Sequence, residues 1–321
     1  MRPTGPLHIG HYFGALANWV GLQEAHECFY FVADWHVLTD HQGRMDEVPR
    51  YAREMVADWI ACGIDPNRAV VYVQSAVPEV LELAWILGSV ANVGDLERCP
   101  TYKEAQQKSK ENPNYALLGY PVLQCADIAV MKADRVPVGE DQVAHLEICR
   151  EIVRRFNRTY APVLVEMQPL LTATPRIVGT DGQAKMSKSL DNCIYLSDDA
   201  AAVERRVRGM FTDPKRVRAD IPGTVEGNPV FIYHDLVNRD PAELEDLKQR
   251  YRQGRVGDVE VKKRLAFWLN RFLEPIRAKR AEVLARAGEL DAIIAAGNDR
   301  ARARARETLA QVREVVYGRR G

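Results

Sequence analysis

Phe29-Tyr30-Phe31-Val32-Ala33-Asp34-Trp35-His36 is an apolar run that stops on polar groups. Its first five residues carry no charge, Gly or Pro, so they read as a strand buried on both faces, as in parallel sheets. Asp34 and His36 then fall at the carboxyl end of that strand, where open α/β sheets hold their ligands. The pattern alternates outward from this run. Upstream, a glycine-punctuated entry opens an amphipathic helix running to about Ala25, with Phe13, Leu16 and Val20 at helical spacing. Downstream, residues 50–62 read as a helix stopped by Gly63, residues 69–74 as a second buried strand, and residues 78–92 as another helix.

This β-α-β-α order implies an α/β fold with a doubly wound, parallel, Rossmann-like sheet. Residues 94–114 turn polar and Lys-rich, and residues 142–158 form a strongly amphipathic helix. After Asn192 strand candidates become few, and residues 200–209, 241–252, 259–287 and 299–317 read as helices. The expected organisation is therefore a catalytic α/β domain over residues 1–189 and an all-helical domain over residues 190–321.

Bulk properties narrow the class. The 321 residues suffice for one large or two medium domains, and no apolar run is long enough to span a bilayer. Cys28, Cys62, Cys99, Cys125, Cys149 and Cys193 include no C-x-x-C pair, which fits reduced thiols better than disulfides or a zinc site. No targeting segment precedes the first motif, so a cytoplasmic protein with no membrane attachment is expected. The formal net charge of zero hides an asymmetry. Residues 201–321 hold 26 Lys+Arg against 18 Asp+Glu, an excess of +8, so the first 200 residues carry −8. A basic tail of this kind is either a set of solvated helix faces or a surface for a polyanion. Arg300, Arg302, Arg304 and Arg306 alternate with Ala, a spacing that spreads charge around a helix rather than along one stripe.

Two short runs carry the chemistry. His8-Ile9-Gly10-His11 places two imidazoles and a glycine at a helix start, behind the turn Pro3-Thr4-Gly5. Gly10 would leave room for a nucleotide, and the helix N-terminus favours phosphate oxygens. Lys185-Met186-Ser187-Lys188-Ser189 supplies two ammonium groups and two hydroxyls behind Gly179 and Gly182, which suggests a loop able to open and close. Together they describe an ATP site held from two sides, as a reaction expelling pyrophosphate requires. Asp127 is the one charge in the apolar stretch 120–131. It is either an acceptor for a substrate donor or a capping or salt-bridged aspartate.

These two runs resemble the two signatures of the class I aminoacyl-tRNA synthetases. The stretches 2–16, Asp34-Trp35-His36, Gly94-Asp95-Leu96-Glu97-Arg98 and 136–142 are similar to the bacterial tryptophanyl branch in particular, and the similarity runs over nearly the whole chain. The resemblance implies ATP- and Mg²⁺-dependent activation of L-tryptophan, transfer to tRNA(Trp), and a homodimer. It implies catalytic roles for His8, His11, Lys185 and Lys188, with Lys188 the main transition-state cation. Arg2, Pro3, Thr4, Gly10, His11, Gly139, Glu140, Asp141, Ile177, Lys185, Met186, Ser187, Lys188 and Ser189 would meet ATP. Asp127 would read the indole N–H, with Tyr120, Gln142 and His36 lining the amino-acid site. No protein-held metal site is implied. Lys103 is a candidate phosphate contact or a solvated lysine, and the helical tail is where such proteins read the anticodon. Relatives usually carry several residues ahead of the position of Arg2, forming a first strand and part of the amino-acid pocket.

Three other readings are open to the residues: a tyrosyl-tRNA synthetase, a nucleotidyltransferase with the same H-x-G-H run, and a regulatory paralogue that binds tRNA or protein without catalysis. A single carboxylate among apolar residues favours indole, and the basic tail disfavours the short nucleotidyltransferases.

Overall fold

The structure, a computed structural model, describes residues 1–108, 114–171, 177–214 and 216–318; the side chains of Lys108 and Asp141 are outside that description. Helix α1 spans residues 9–22, opening as Ile9–His11, widening to a π-type turn at Tyr12–Leu16 and closing as Ala17–Leu22. Strand β1 (Cys28–Val32) pairs in parallel with β2 (Ala69–Val73), from Cys28 opposite Ala69 to Val32 opposite Val73. Between them runs α2 (Val48–Ala61), which opens on Pro49 and is followed by Gly63 at positive φ.

Three helices follow β2: α3 (Glu79–Gly88), the short α4 (Val93–Glu97) and α5 (Pro100–Lys108). Next comes α6 (Tyr115–Val130), capped by the Asn114 side chain on the Leu117 N–H. A second parallel pair, β3 (Arg135–Val138) with β4 (Gln168–Leu171), flanks α7 (Val143–Thr159). These two strands are not in the pattern read above. They have four residues each, include Pro137 and Pro169, and lie mostly half-buried, so neither shows an apolar run.

Helices α8 (Ala200–Arg208), α9 (Pro229–Val237), α10 (Pro241–Arg252), α11 (Asp258–Ala285) and α12 (Ala287–Tyr317) complete the chain. Helix α9 was not expected from the sequence pattern, and α12 starts a full twelve residues before the expected 299.

Strand β2 shows why the sheet is doubly wound. Side chains alternate across a strand, and here both faces are buried. Ala69 and Val71 join Ile9, Met55 and Trp59 in one apolar core, which continues into Val203, Leu265 and Leu273 of the helical part. Val70 and Tyr72 join a second core with Leu83, Cys125, Leu146 and Phe156. Helix α12 returns to cover the sheet, and its Ala301, Ala305, Leu309 and Val312 belong to that second core. A Cβ on Gly297 would sit 1.8 Å from the Val71 carbonyl oxygen, so only glycine permits this approach.

The same packing revises the expectation drawn from charge. Arg302 and Arg306 both reach Glu79, Arg313 pairs with Glu82, and Arg280 with Asp58. Much of the opposite charge of the two halves is therefore neutralised within the chain. Arg300 instead donates to the Pro66 carbonyl and Arg304 to Glu27, so the Arg-Ala run does spread around its helix.

Candidate active site

The two signature runs meet at the start of α1. Residues 194–196 bridge the backbone of residues 7–9: His8 pairs with Tyr195, Ile9 N–H donates to the Ile194 carbonyl at 2.9 Å, and Leu196 N–H to the Leu7 carbonyl at 2.9 Å. The Lys/Ser run is thus delivered against His8 by the strand-like segment that follows it. Lys188 Nζ donates to the Gly5 carbonyl oxygen at 2.8 Å, and Gly5 takes a positive φ of 128°. The His8 ring and the Met186 sulfur lie directly over Gly10, at 2.8 and 3.3 Å from where a Cβ would be. In this conformation Gly10 makes room for the His8 ring and the Met186 side chain.

Burial sets the charge of these groups. His8 is pushed down to about 4 by burial and then by Lys188 and Lys185, and His11 is held well below the ordinary imidazole range by burial and by His8. Both are neutral at pH 7. His11 Nδ1 accepts the His8 N–H at 3.1 Å, so its proton sits on Nε2, which is therefore a donor. His8 Nδ1 is buried and has no hydrogen-bond partner among the described residues. Lys188 is pushed down to about 8 by burial. A cluster of neutral donors and one half-buried ammonium with an orphaned buried nitrogen suits an arriving polyphosphate.

The loop itself is braced. Gly179 N–H donates to the Ala184 carbonyl at 2.6 Å, Val178 bridges Lys185, and Met186 N–H donates to the carbonyl of the buried Ile177 at 3.4 Å. Asn192, 2% exposed, accepts the Ser187 N–H at 2.7 Å and donates to Asp181 at 3.0 Å. A Cβ on Gly179 would meet the Asn192 side chain at 2.1 Å, and Gly182, at φ 71°, lies against Pro229 and Phe211. In this conformation the two glycines serve close packing against Asn192, Pro229 and Phe211. Ser187 and Ser189 share a hydroxyl contact of 2.9 Å, and Lys185 is exposed.

A second group gathers where β1 and β2 end. Asp127 on α6 is 2% exposed and accepts from His36 Nε2 at 2.9 Å. Gln74 Nε2 donates to both its oxygens, at 2.7 and 2.9 Å. Burial raises the Asp127 carboxyl, and the His36 and Gln74 donors oppose that rise. Asp127 is therefore a paired carboxylate, not the solitary one its sequence context suggested. The Tyr120 ring stands 6.3 Å from the His36 ring, and its hydroxyl contacts Cys99 Sγ at 3.2 Å.

Other expected residues fall elsewhere around these groups. Arg2 reaches out to Asp40 at 2.7 Å, Pro3 is buried, and Thr4 N–H closes a turn onto the Arg2 carbonyl at 2.9 Å. Gly139, Glu140 and Gln142 form the turn between the carboxyl end of β3 and α7. Asp141 belongs to that turn, with its side chain outside the described residues. Lys103 is exposed on α5, and residues 109–113 after it, Lys110 among them, lie outside the described residues. Gln74 and Asn192 were missed. Gln74 ends a strand as Asp34-Trp35-His36 does, so the rule that marked those residues would have marked it too.

The family model described as tRNA synthetases class I (W and Y) matches residues 1–274. The chain belongs to that family. The tryptophan–tRNA ligase of Treponema pallidum is 52% identical over 98% of this chain and 94% of its own length, and that of Borreliella burgdorferi is 46% identical over 98% and 91%. The structure is similar to that of the Campylobacter jejuni tryptophanyl-tRNA synthetase complexed with ADP and tryptophan, with a TM-score of 0.88, 32% identity, and coverage of 98% of this chain and 97% of that one. The tyrosyl-tRNA synthetase of Archaeoglobus fulgidus aligns less closely, with a TM-score of 0.66 at 25% identity and coverage of 87% and 88%. Within the family, this chain sides with the tryptophan branch. Among the described residues no helix is long and apolar enough to cross a membrane.

Proposed function

We propose that this chain activates L-tryptophan with ATP and transfers it to tRNA(Trp), acting as a tryptophan–tRNA ligase. The observation that carries the reading is Asp127, a buried carboxylate whose protein partners are both donors, at the carboxyl ends of two parallel strands. An indole offers one N–H and a large apolar body, so its reader must be an acceptor in dry surroundings. Tyr120, His36 and Gln142 are assigned to the rest of the amino-acid site.

In the first step a carboxylate oxygen of tryptophan bonds to the α-phosphorus of ATP. The bond from that phosphorus to the bridging oxygen breaks, and pyrophosphate leaves with the electron pair. No protein atom becomes bonded, so the side chains work by position and charge. Lys188 is assigned the charge developing on the leaving phosphates, with Lys185, the Ser187 and Ser189 hydroxyls and His11 Nε2–H as further donors. Arg2, Pro3, Thr4, Gly10, Ile177 and Met186 are assigned to the nucleotide, with Gly139, Glu140 and Asp141 at its ribose and adenine side. In the second step a terminal ribose hydroxyl of the tRNA attacks the tryptophanyl carbonyl and AMP departs. Magnesium is assigned to the ATP phosphates, which suit that ion better than a dedicated protein cage.

The helical part after residue 190 is assigned to the tRNA, supported by its positive excess. A homodimer is supported by Leu81 and Trp85, four apart on α3 and 46% and 78% exposed. Six free cysteines support a reducing, cytoplasmic setting.

Pyrophosphate exchange with each amino acid in turn tests the assignment. Tryptophan should drive it. Exchange driven by tyrosine, or by no amino acid, would sink it. Asp127→Ala should cost kcat/KM for tryptophan about a hundredfold or more while KM for ATP moves little.

A further inference from the structure

We propose that Gln74 is a positioning residue for amino-acid selection, which orients the Asp127 carboxylate and keeps it an acceptor toward the substrate. The proposal rests on the reading of Asp127 as the group that meets the indole N–H.

Gln74 is the residue after β2 and has no exposed surface. A buried amide can be turned either way, but here its orientation is determined. The Trp35 backbone N–H donates to Gln74 Oε1 at 3.1 Å, and a backbone N–H cannot accept in return. Nε2 must therefore face Asp127, where it lies 2.7 Å from Oδ1 and 2.9 Å from Oδ2. His36 Nε2 takes Oδ2 as well, at 2.9 Å.

An ionised carboxylate has about four acceptor directions. Among the described residues Oδ1 accepts only from Gln74, so its remaining lone pair is the one aimed by the Gln74 contact. The relay runs from the Trp35 backbone at the end of β1, through Gln74 at the end of β2, to Asp127 on α6. Three elements thereby share the placement of one oxygen.

The relay also governs protonation. Burial favours the neutral acid, and donors favour the carboxylate. A protonated Asp127 would need an acceptor for its own O–H, which an indole N–H cannot supply. The titratable groups that feel Asp127 are His36, the Tyr72 phenol on β2, the Cys125 thiol on α6 and the α-amino group of Met1. None of them supplies the second donor that Gln74 does.

The test uses pyrophosphate exchange by the full chain with two amino acids: tryptophan, and 3-benzothienylalanine, which has sulfur in place of the N–H. Gln74→Leu keeps the volume and removes the donor. It should lower kcat/KM for tryptophan about tenfold to a hundredfold, leave the analogue within about threefold, and move the acid limb of the tryptophan profile to higher pH. Gln74→Glu tests the idea in the opposite sense. Two facing carboxylates share one proton, and the protonated form donates to Asp127 as the amide does. Its tryptophan kcat/KM should therefore fall as pH rises from about 6 to 8. If Gln74→Leu does not fold, the Gln74→Glu profile decides alone. Equal losses for both amino acids, or an unmoved pH profile in Gln74→Glu, would make Gln74 a packing residue and overturn the proposal. Wild-type exchange that prefers another amino acid would instead overturn the reading of Asp127.

Discussion

The Lys188 ammonium is half-buried against the Gly5 carbonyl, and burial brings its titration to about 8. The sign follows directly. A lysine with a lowered pKa keeps its charge below that value and loses it above, so Lys188 in the free protein sheds its charge as pH rises through about 8. Arriving phosphates stabilise the ammonium and raise the value again. We therefore expect kcat/KM for ATP to fall above about pH 8, with the matching limb of kcat displaced to higher pH. Lys188→Arg should abolish that limb, because arginine does not titrate in this range. A pyrophosphate-exchange profile from pH 6 to 9.5 checks it, and a wild-type limb unmoved between the two parameters would mean that Lys188 does not meet the phosphates. Residues of this kind were legible in the sequence, because signature runs place several chemical groups within a few positions. Their supports were not. Gln74 and Asn192 act through side-chain contacts with residues 53 and 5 positions away, and Asp40 pairs with Arg2 across 38.

Strand β2 and helix α12 show the same limit at the scale of elements. Residues 69–74 announced a buried strand by composition, yet nothing in them says which helix covers each face. That cover comes from a segment more than two hundred positions later, and the close contact falls on one residue, Gly297, in a helix that is otherwise rich in alanine. The Asn298 side chain then accepts the Val73 N–H at 2.9 Å, tying the helix to the strand end just before Gln74. Gly297→Ala would force a methyl group into the Val71 carbonyl, and a backbone atom cannot swing aside as a side-chain tip can. The expected cost is about 2–3 kcal/mol of stability, although alanine is the better helix former. Urea denaturation followed by circular dichroism measures it, and a neutral or stabilising outcome would show that α12 does not press on β2 as described. β3 and β4 stayed illegible for another reason. Four half-buried residues with a proline give no period to detect.

Over the whole molecule, the charge asymmetry divides into two uses that the sequence alone could not separate. Arg302, Arg306 and Arg313 hold α12 to α3 through Glu79 and Glu82, so their charge is already answered. Arg205 and Arg208 at the end of α8, and Lys263 and Arg271 on α11, are exposed and pair with no acidic side chain among the described residues. If the helical part grips tRNA, only the second set can release counterions from its phosphates. Each phosphate contact should add roughly 0.7–0.9 to the slope of log K against log salt. Replacing Arg205, Arg208 and Arg271 together by alanine should flatten the slope and weaken tRNA binding, while melting and tryptophan-dependent pyrophosphate exchange stay near wild type. Replacing Arg302 and Arg306 should do the reverse, lowering stability by about 1 kcal/mol and leaving the slope intact. Fluorescence titration of tRNA at several salt concentrations separates the two. An unchanged slope in the triple variant would move the tRNA surface off the end of α8 and the middle of α11, and a flattened one in the Arg302/Arg306 pair would mean that the acidic partners on α3 yield to the nucleic acid.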